Sequence, residues 1–180
     1  MIGEGELVDR DALGNWAARE AIRDCLMRYC RAIDRVDREL LETVYWPEAT
    51  DDHGSFSGSA QGFMDWVIPL LGSMDQTSHQ IGNILFAFHG ARVNVESCFT
   101  AYHRVRREPG APYDVIMGGR YVDWFEERNG EWRIRDRSVV YDWVREYPDS
   151  ADWSAPVLGL TFRTNRAHCP SHALLGAGGV

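Results

Sequence analysis

The 180-residue chain reads as one α+β domain, with helices first and a sheet second. Two observations predict this class. Up to Gly72, apolar residues recur every three or four positions, the period of a helix that buries one stripe. Beyond Gly72 they alternate, the period of a strand that buries one face. Strands linked in series by turn residues pair as an antiparallel meander, and helices segregated from such a sheet define the α+β class.

Each element has its own signal. Over residues 15–33, Ile22, Cys25, Leu26, Tyr29, Cys30 and Ile33 form one apolar stripe. A short helix over 38–45 turns Leu40, Leu41 and Val44 inward, and Pro47 is expected to stop it. EATDDHGSFSG reads as a short strand and a turn. Ser59 can cap a third helix that runs to Leu71 and carries Phe63, Trp66, Val67 and Leu70. Strands are expected over 78–88, 92–106, 113–127 and 132–143, separated by His89-Gly90-Ala91, Pro109-Gly110-Ala111-Pro112 and Asn129-Gly130. The paired glycines Gly118 and Gly119 fall inside a strand and predict a bend. The folded domain is thus expected over 15–147, after an N-terminal extension (1–14) and before a C-terminal tail (148–180). That tail carries Trp153, Val157, Leu158, Leu160 and Phe162, so it is expected to pack on the domain or on a neighbouring subunit.

Alternation also assigns faces. It places His79, Ile81, Asn83 and Leu85 together, opposite Gln80, Ile84, Phe86 and Phe88. It also sets Arg137 with Arg133, Arg135, Val139 and Tyr141, and on this pattern alone solvent is favoured over a buried ion pair for Arg137.

Composition narrows the function. A net charge of −8 argues against a nucleic-acid partner, which wants a basic face. No stretch approaches ~20 apolar residues, so no membrane span is expected. The acidic start MIGEGELVDRDALG lacks the apolar run of a secretory signal. Cys25, Cys30, Cys98 and Cys169 follow no disulfide or zinc spacing, which suits reduced thiols and a cytoplasmic protein. There is no GxGxxG or P-loop, and neither cofactor nor metal is expected. The turn Asp51-Asp52-His53-Gly54 is explained by turn chemistry rather than by metal binding. His168 and His172 have Pro170 and Ser171 between them, which argues against a helical ligand pair.

The residues that could carry chemistry are Asp34, at the end of the first helix in YCRAID, and His79, at the start of a strand in TSHQIGN. A carboxylate that holds one imidazole nitrogen leaves the other as a base poised near neutral pH. The Tyr29 phenol could protonate a leaving group or hold an oxyanion, as could the Arg137 guanidinium. Tyr29 lies one and a half turns before Asp34, so sharing a cavity is expected to require a loosened helix end near Arg35. Trp46, Phe63, Trp66, Asn83, Phe99, His103, Met117 and Tyr141 are the candidates to line a pocket for a hydrophobic, aromatic small molecule.

The order YCRAID, TSHQIGN and GGRYVDWFEERNGEWRIRDRSVVYDW resembles the SnoaL-like branch of the nuclear transport factor 2-like superfamily over residues 21–143. The spacing of Tyr29, Asp34 and His79 is similar to the catalytic set of bile-acid 7α-dehydratase. Asp34 and His79 also resemble the dyad of hexachlorocyclohexane dehydrochlorinase, and Arg137 aligns with an arginine of those sites. Scytalone dehydratase and cofactorless formaldehyde-releasing lyases belong to the same group. The resemblance implies a cone-shaped α+β barrel, its helices packed on a curved antiparallel sheet, assembled as a homotrimer. It implies a cofactor-independent lyase with His79, Asp34, Tyr29 and Arg137 as catalytic residues, expelling water or another small fragment such as formaldehyde. The same scaffold serves isomerases, cyclases, binding modules and oxygenase accessory subunits, which stay open as alternatives.

Overall fold

A computed structural model describes residues 10–106 and 109–148. The tail predicted to pack on the domain or a neighbour, with His168 and His172, lies outside the described residues. The elements are α1 (Arg10–Arg35), α2 (Arg38–Glu42), β1 (Tyr45–Asp52), β2 (Ser57–Ser59), α3 (Ala60–Gly72), β3 (Gln76–His89), β4 (Arg92–Val105), β5 (Tyr113–Arg128) and β6 (Glu131–Pro148). Helix α1 therefore begins inside the stretch expected to be an extension.

Helix α1 buries Ile22, Cys25, Leu26, Tyr29, Cys30 and Ile33 as the stripe predicts. Its end is tight. The Asp37 N–H reaches the Ala32 carbonyl at 2.8 Å and the Val36 N–H reaches the Ile33 carbonyl at 3.3 Å, the paired bonds of a Schellman cap. That cap needs a left-handed residue, and Val36 supplies it at φ 57°, a strained conformation for a β-branched side chain. Asp37 then caps α2 by accepting from the Leu40 N–H at 3.0 Å. Helix α2 stops at Glu42, before Pro47: the Thr43 hydroxyl and N–H both turn back to the Leu40 carbonyl. Pro47 instead sits in β1, where the β1–β6 register breaks between Tyr45 and Thr50 and no ladder donor is needed. Ser59 caps α3 through its hydroxyl and the Gly62 N–H, 3.1 Å apart.

The six strands lie in the order β2-β1-β6-β5-β4-β3. Strands β3 to β6 form the antiparallel meander that was predicted. The sheet as a whole is mixed, because β1 runs parallel to β6, and it is open rather than a closed barrel. Alternation could not show this junction, since β1 reaches its partner only after α3 and four further strands. The helices pack on one face of this curved sheet, an α+β cone-like fold.

Register irregularities supply the curvature and correct the predicted faces. Between Ile81 and Ile84, β3 carries one residue more than β4 does, and this bulge reverses the alternation. Ile84, Phe86 and Phe88 therefore stay on the packed side with His79, while Asn83 and Leu85 turn to solvent. In β6 a shift opposite Trp124 and Phe125 lets Ile134 and Arg137 both point inward. A further shift opposite Gly118 and Gly119 marks the predicted bend.

Candidate active site

The end of α1, the turn after β1, the C-terminal half of α3 and the inner faces of β3 to β6 line a cavity of about 150 Å³. Its wall is mainly apolar, and Tyr29, His53, His79 and His103 bring the chemistry.

Asp34 holds His79 at two points. One carboxylate oxygen lies 2.7 Å from the ring Nδ1 and the other accepts the His79 backbone N–H at 2.9 Å. The carboxylate needs a donor, which places the proton of a neutral imidazole on Nδ1 and leaves the Nε2 lone pair free. Both side chains are largely sequestered, 8% exposed for His79 and 13% for Asp34. His103 meets the His79 ring edge-on, with centroids 5.2 Å apart. Burial, with a smaller contribution from His79, pushes the His103 pKa down to about 3, so His103 stays neutral near pH 7.

Tyr29 lines the cavity although α1 remains helical through Arg35, so the expected loosening does not occur. Asp34 stands behind His79, and only Tyr29 needs to reach inward. Burial above all keeps the phenol pKa above its ordinary value, so it remains a hydrogen-bond donor.

Arg137 is neither in solvent nor at the cavity surface. Its guanidinium lies 4.1 Å from the Tyr29 ring centroid and 4.2 Å from that of Tyr121, with both of these rings in the cavity wall. Asp123 clasps it through two bonds of 2.7 Å, and both side chains are fully buried. Burial, the largest single influence, would lower the guanidinium pKa, and the charge and hydrogen bonds of Asp123 together with Tyr45 and Tyr29 outweigh it and raise the pKa above its ordinary value. Arg137 thus touches the back of two rings that line the cavity and does not itself line it.

Of the predicted pocket residues, Trp66, Phe99, His103, Met117 and Tyr141 line the cavity. Three do not. Trp46 donates its indole N–H to the Glu126 carbonyl at 3.0 Å, lies beneath Arg128 and Arg133, and borders a separate cleft. Phe63 packs behind His53, with ring centroids 4.4 Å apart. Asn83 faces out because of the β3 bulge.

One cluster of polar groups at the cavity escaped the sequence reading. Asp51 is buried, hydrogen-bonds the His53 Nδ1, and accepts the Tyr45 hydroxyl at 2.7 Å. The His53 Nε2 lies 3.3 Å from the Tyr29 hydroxyl. The signal was present in TDDH, because residues two apart on an extended segment share a face.

The family model described as a SnoaL-like domain matches residues 15–138. No curated protein matches the chain. Among solved structures, the chain is similar to a provisionally named scytalone dehydratase from Novosphingobium aromaticivorans, with 22% identity and TM-score 0.66 over 77% of this chain and 97% of that one. It is similar to a hexachlorocyclohexane dehydrochlorinase from Novosphingobium barchaimii, with 16% identity and TM-score 0.68 over 81% and 99% of the two chains. A nuclear transport factor 2-like protein from Salmonella enterica aligns with 15% identity and TM-score 0.58, over 78% and 99%. Identities this low establish fold alone. The family match covers most of the chain, which therefore belongs to the SnoaL-like domain family, within the nuclear transport factor 2-like fold.

Proposed function

We propose that the protein is a cofactor-independent lyase that removes a proton from a hydrophobic, aromatic small molecule and expels water or another small fragment such as formaldehyde. One observation carries this reading: His79 borders an apolar cavity with its Nδ1 engaged by Asp34, which leaves the Nε2 as the free base. Asp34 fixes the tautomer and balances the imidazolium that forms on proton abstraction. Tyr29 lines the same cavity, and in this reading its phenol hydrogen-bonds the departing group or an oxyanion. Isomerisation or cyclisation on the same scaffold would use the same base and return the proton instead of expelling a group.

Size limits the substrate. A cavity of roughly 150 Å³ takes up one benzene ring. The volume here, about 150 Å³, therefore suits a single buried ring with its reacting carbons beside His79.

The assembly belongs to the same proposal. Tyr141, Trp143, Val144 and Tyr147 are 42–62% exposed along the end of β6 in the isolated chain, an apolar strip that a homotrimer would cover. Light scattering that gives a stable monomer at micromolar concentration would contradict it. Free Cys25, Cys30 and Cys98 support a reducing, cytoplasmic setting. No helix among the described residues is long and apolar enough to cross a membrane.

The test is incubation of the protein in D₂O with single-ring β-hydroxy ketones, followed by NMR. Exchange of the α-hydrogen together with enone formation is the expected result. Saturable binding with neither exchange nor product would favour a binding module and overturn the lyase reading.

A further inference from the structure

We propose that His53, held by the buried Asp51, is a second acid–base residue: with Tyr29 it grips the leaving oxygen and protonates it as it departs. This deepens the lyase reading and rests on it. It also names the substrate class, a single-ring aromatic compound whose leaving group is an oxygen placed β to the hydrogen taken by His79.

The local sequence builds the arm. Alternation along β1 turns Asp51 inward and Asp52 outward. The Asp52 carboxylate accepts the Gly54 N–H at 3.0 Å, and Gly54 takes a left-handed φ of 74°. The His53 N–H closes the turn on the Phe56 carbonyl at 2.8 Å. This turn delivers the His53 ring to the cavity, where it stacks on Phe63.

Polarity follows from the partners. Asp51 is 1% exposed and accepts from both the Tyr45 hydroxyl and the His53 Nδ1. The Asp51 carboxylate accepts from Nδ1, which keeps a proton on that nitrogen and leaves the Nε2 facing the cavity. In the neutral ring the Nε2 accepts the Tyr29 O–H, 3.3 Å away, and on gaining a proton it presents a second N–H to the same space. Two donors at that spacing converge on one oxygen, the arrangement that stabilises developing negative charge.

The step balances. His79 takes the hydrogen as a proton, and the C–H electron pair becomes the new C=C bond. The C–O bond breaks, its electron pair stays on oxygen, and the His53 proton completes water. His79 ends protonated and His53 neutral, and exchange with solvent resets both. Neither oxidant nor reductant is needed. The site would thus hold two carboxylate-backed imidazoles with opposite duties.

The experiment uses the full chain and 4-hydroxy-4-phenylbutan-2-one, whose α-hydrogen exchange reports the base and whose conversion to the enone reports base and acid together. His53→Gln should slow enone formation by roughly 10²–10⁴-fold, while exchange falls far less. His79→Ala should lose both. His53→Phe keeps the stack on Phe63 but strands Asp51, so His53→Gln, which can still bond Asp51, covers a failure to fold. Enone formation by His53→Gln at the wild-type rate would overturn the inference and leave the base reading intact. Exchange in the wild type without any enone would do the same. Wild-type protein that binds the ketone with neither reaction would instead sink the lyase reading. A turnover-independent arm follows the His53 Nε2 by ¹⁵N NMR as 4-nitrophenol is added. The resonance should move toward its protonated position, and an unmoved resonance at saturation overturns the inference.

Discussion

The two oxygens of Asp34 fix His79 by its ring and by its backbone, at 2.7 Å and 2.9 Å. A helix end and a strand start are thereby locked in one geometry, and the imidazole has little freedom to rotate away from the cavity. Asp34→Asn should fold, because only polar function changes. Its amide can present a donor to Nδ1, favour the wrong tautomer, and leave the imidazolium unbalanced. A loss of roughly 10²–10⁴-fold in single-turnover rate is expected, with circular dichroism as the folding control. A folded variant of wild-type rate would remove Asp34 from the mechanism.

Tyr29→Phe separates chemistry from packing. The ring meets Tyr45 and Tyr121 edge-on and lies over Arg137, and all three contacts survive the change. Only the hydroxyl 3.3 Å from His53 is lost. Turnover should fall with KM nearly unchanged, the signature of an interaction made in the transition state. An equal rise in KM at constant kcat would mean that the phenol only binds substrate.

The Arg137–Asp123 pair predicts stability rather than chemistry. Arg137→Met strands a carboxylate that is fully buried, which typically costs about 3–5 kcal/mol. Adding Asp123→Leu should recover much of that loss, since a buried pair often stabilises no more than apolar residues of similar volume. Urea denaturation of both single variants and the double variant checks the sign. A double variant as weak as Arg137→Met would show that the pair itself holds the core.

His103 predicts an acid-sensitive fold. Its pKa is about 3 when folded against an ordinary value of 6.5, so between these limits the unfolded chain binds a proton that the folded chain does not. Stability from this group is fully present above pH 6.5 and is lost as pH falls toward 3. His79 faces the same ring, and its charge is the smaller of the two causes that depress His103. His103→Asn should therefore flatten the fall in urea midpoint between pH 6.5 and 4, and an unchanged slope would place the acid sensitivity elsewhere.

The sequence made the helices and the four-strand meander legible because their signals are local: a stripe in α1, the Ser59 cap, the Asn129-Gly130 turn. Three features were hidden because they are not local. The parallel pairing of β1 with β6 depends on a long crossover. The bulge after Ile81 adds one residue, and one residue turns Asn83 and everything beyond it to the opposite face. Arg137 read as solvent-facing for the same reason, since the irregularity near Arg135 restores it to the interior. The Asp34–His79 pairing was proposed through family resemblance rather than periodicity. The Asp51–His53 pair had a readable two-residue spacing, which turn chemistry masked.

The glycine pair in β5 makes the sharpest structural prediction. A Cβ at Gly119 would sit 2.0 Å from the Val140 carbonyl oxygen and 3.0 Å from the Phe99 ring. Backbone cannot swing aside, so Gly119→Ala must break the irregular β5–β6 register at this point. A Cβ at Gly118 meets only the Trp143 indole, at 2.6 Å, and that side chain is 45% exposed and free to rotate. Gly119→Ala should lower stability toward the upper end of the ~1–3 kcal/mol range for overpacking, and Gly118→Ala by clearly less. The functional consequence follows from position: Phe99 stacks on Tyr121 at 4.4 Å, and both rings line the cavity. Gly119→Ala should therefore weaken binding of a single-ring ligand even where it still folds, while Gly118→Ala binds normally. Urea denaturation and titration with 4-nitrophenol measure the two effects, and equal behaviour of the two variants would show that the bend does not shape the site.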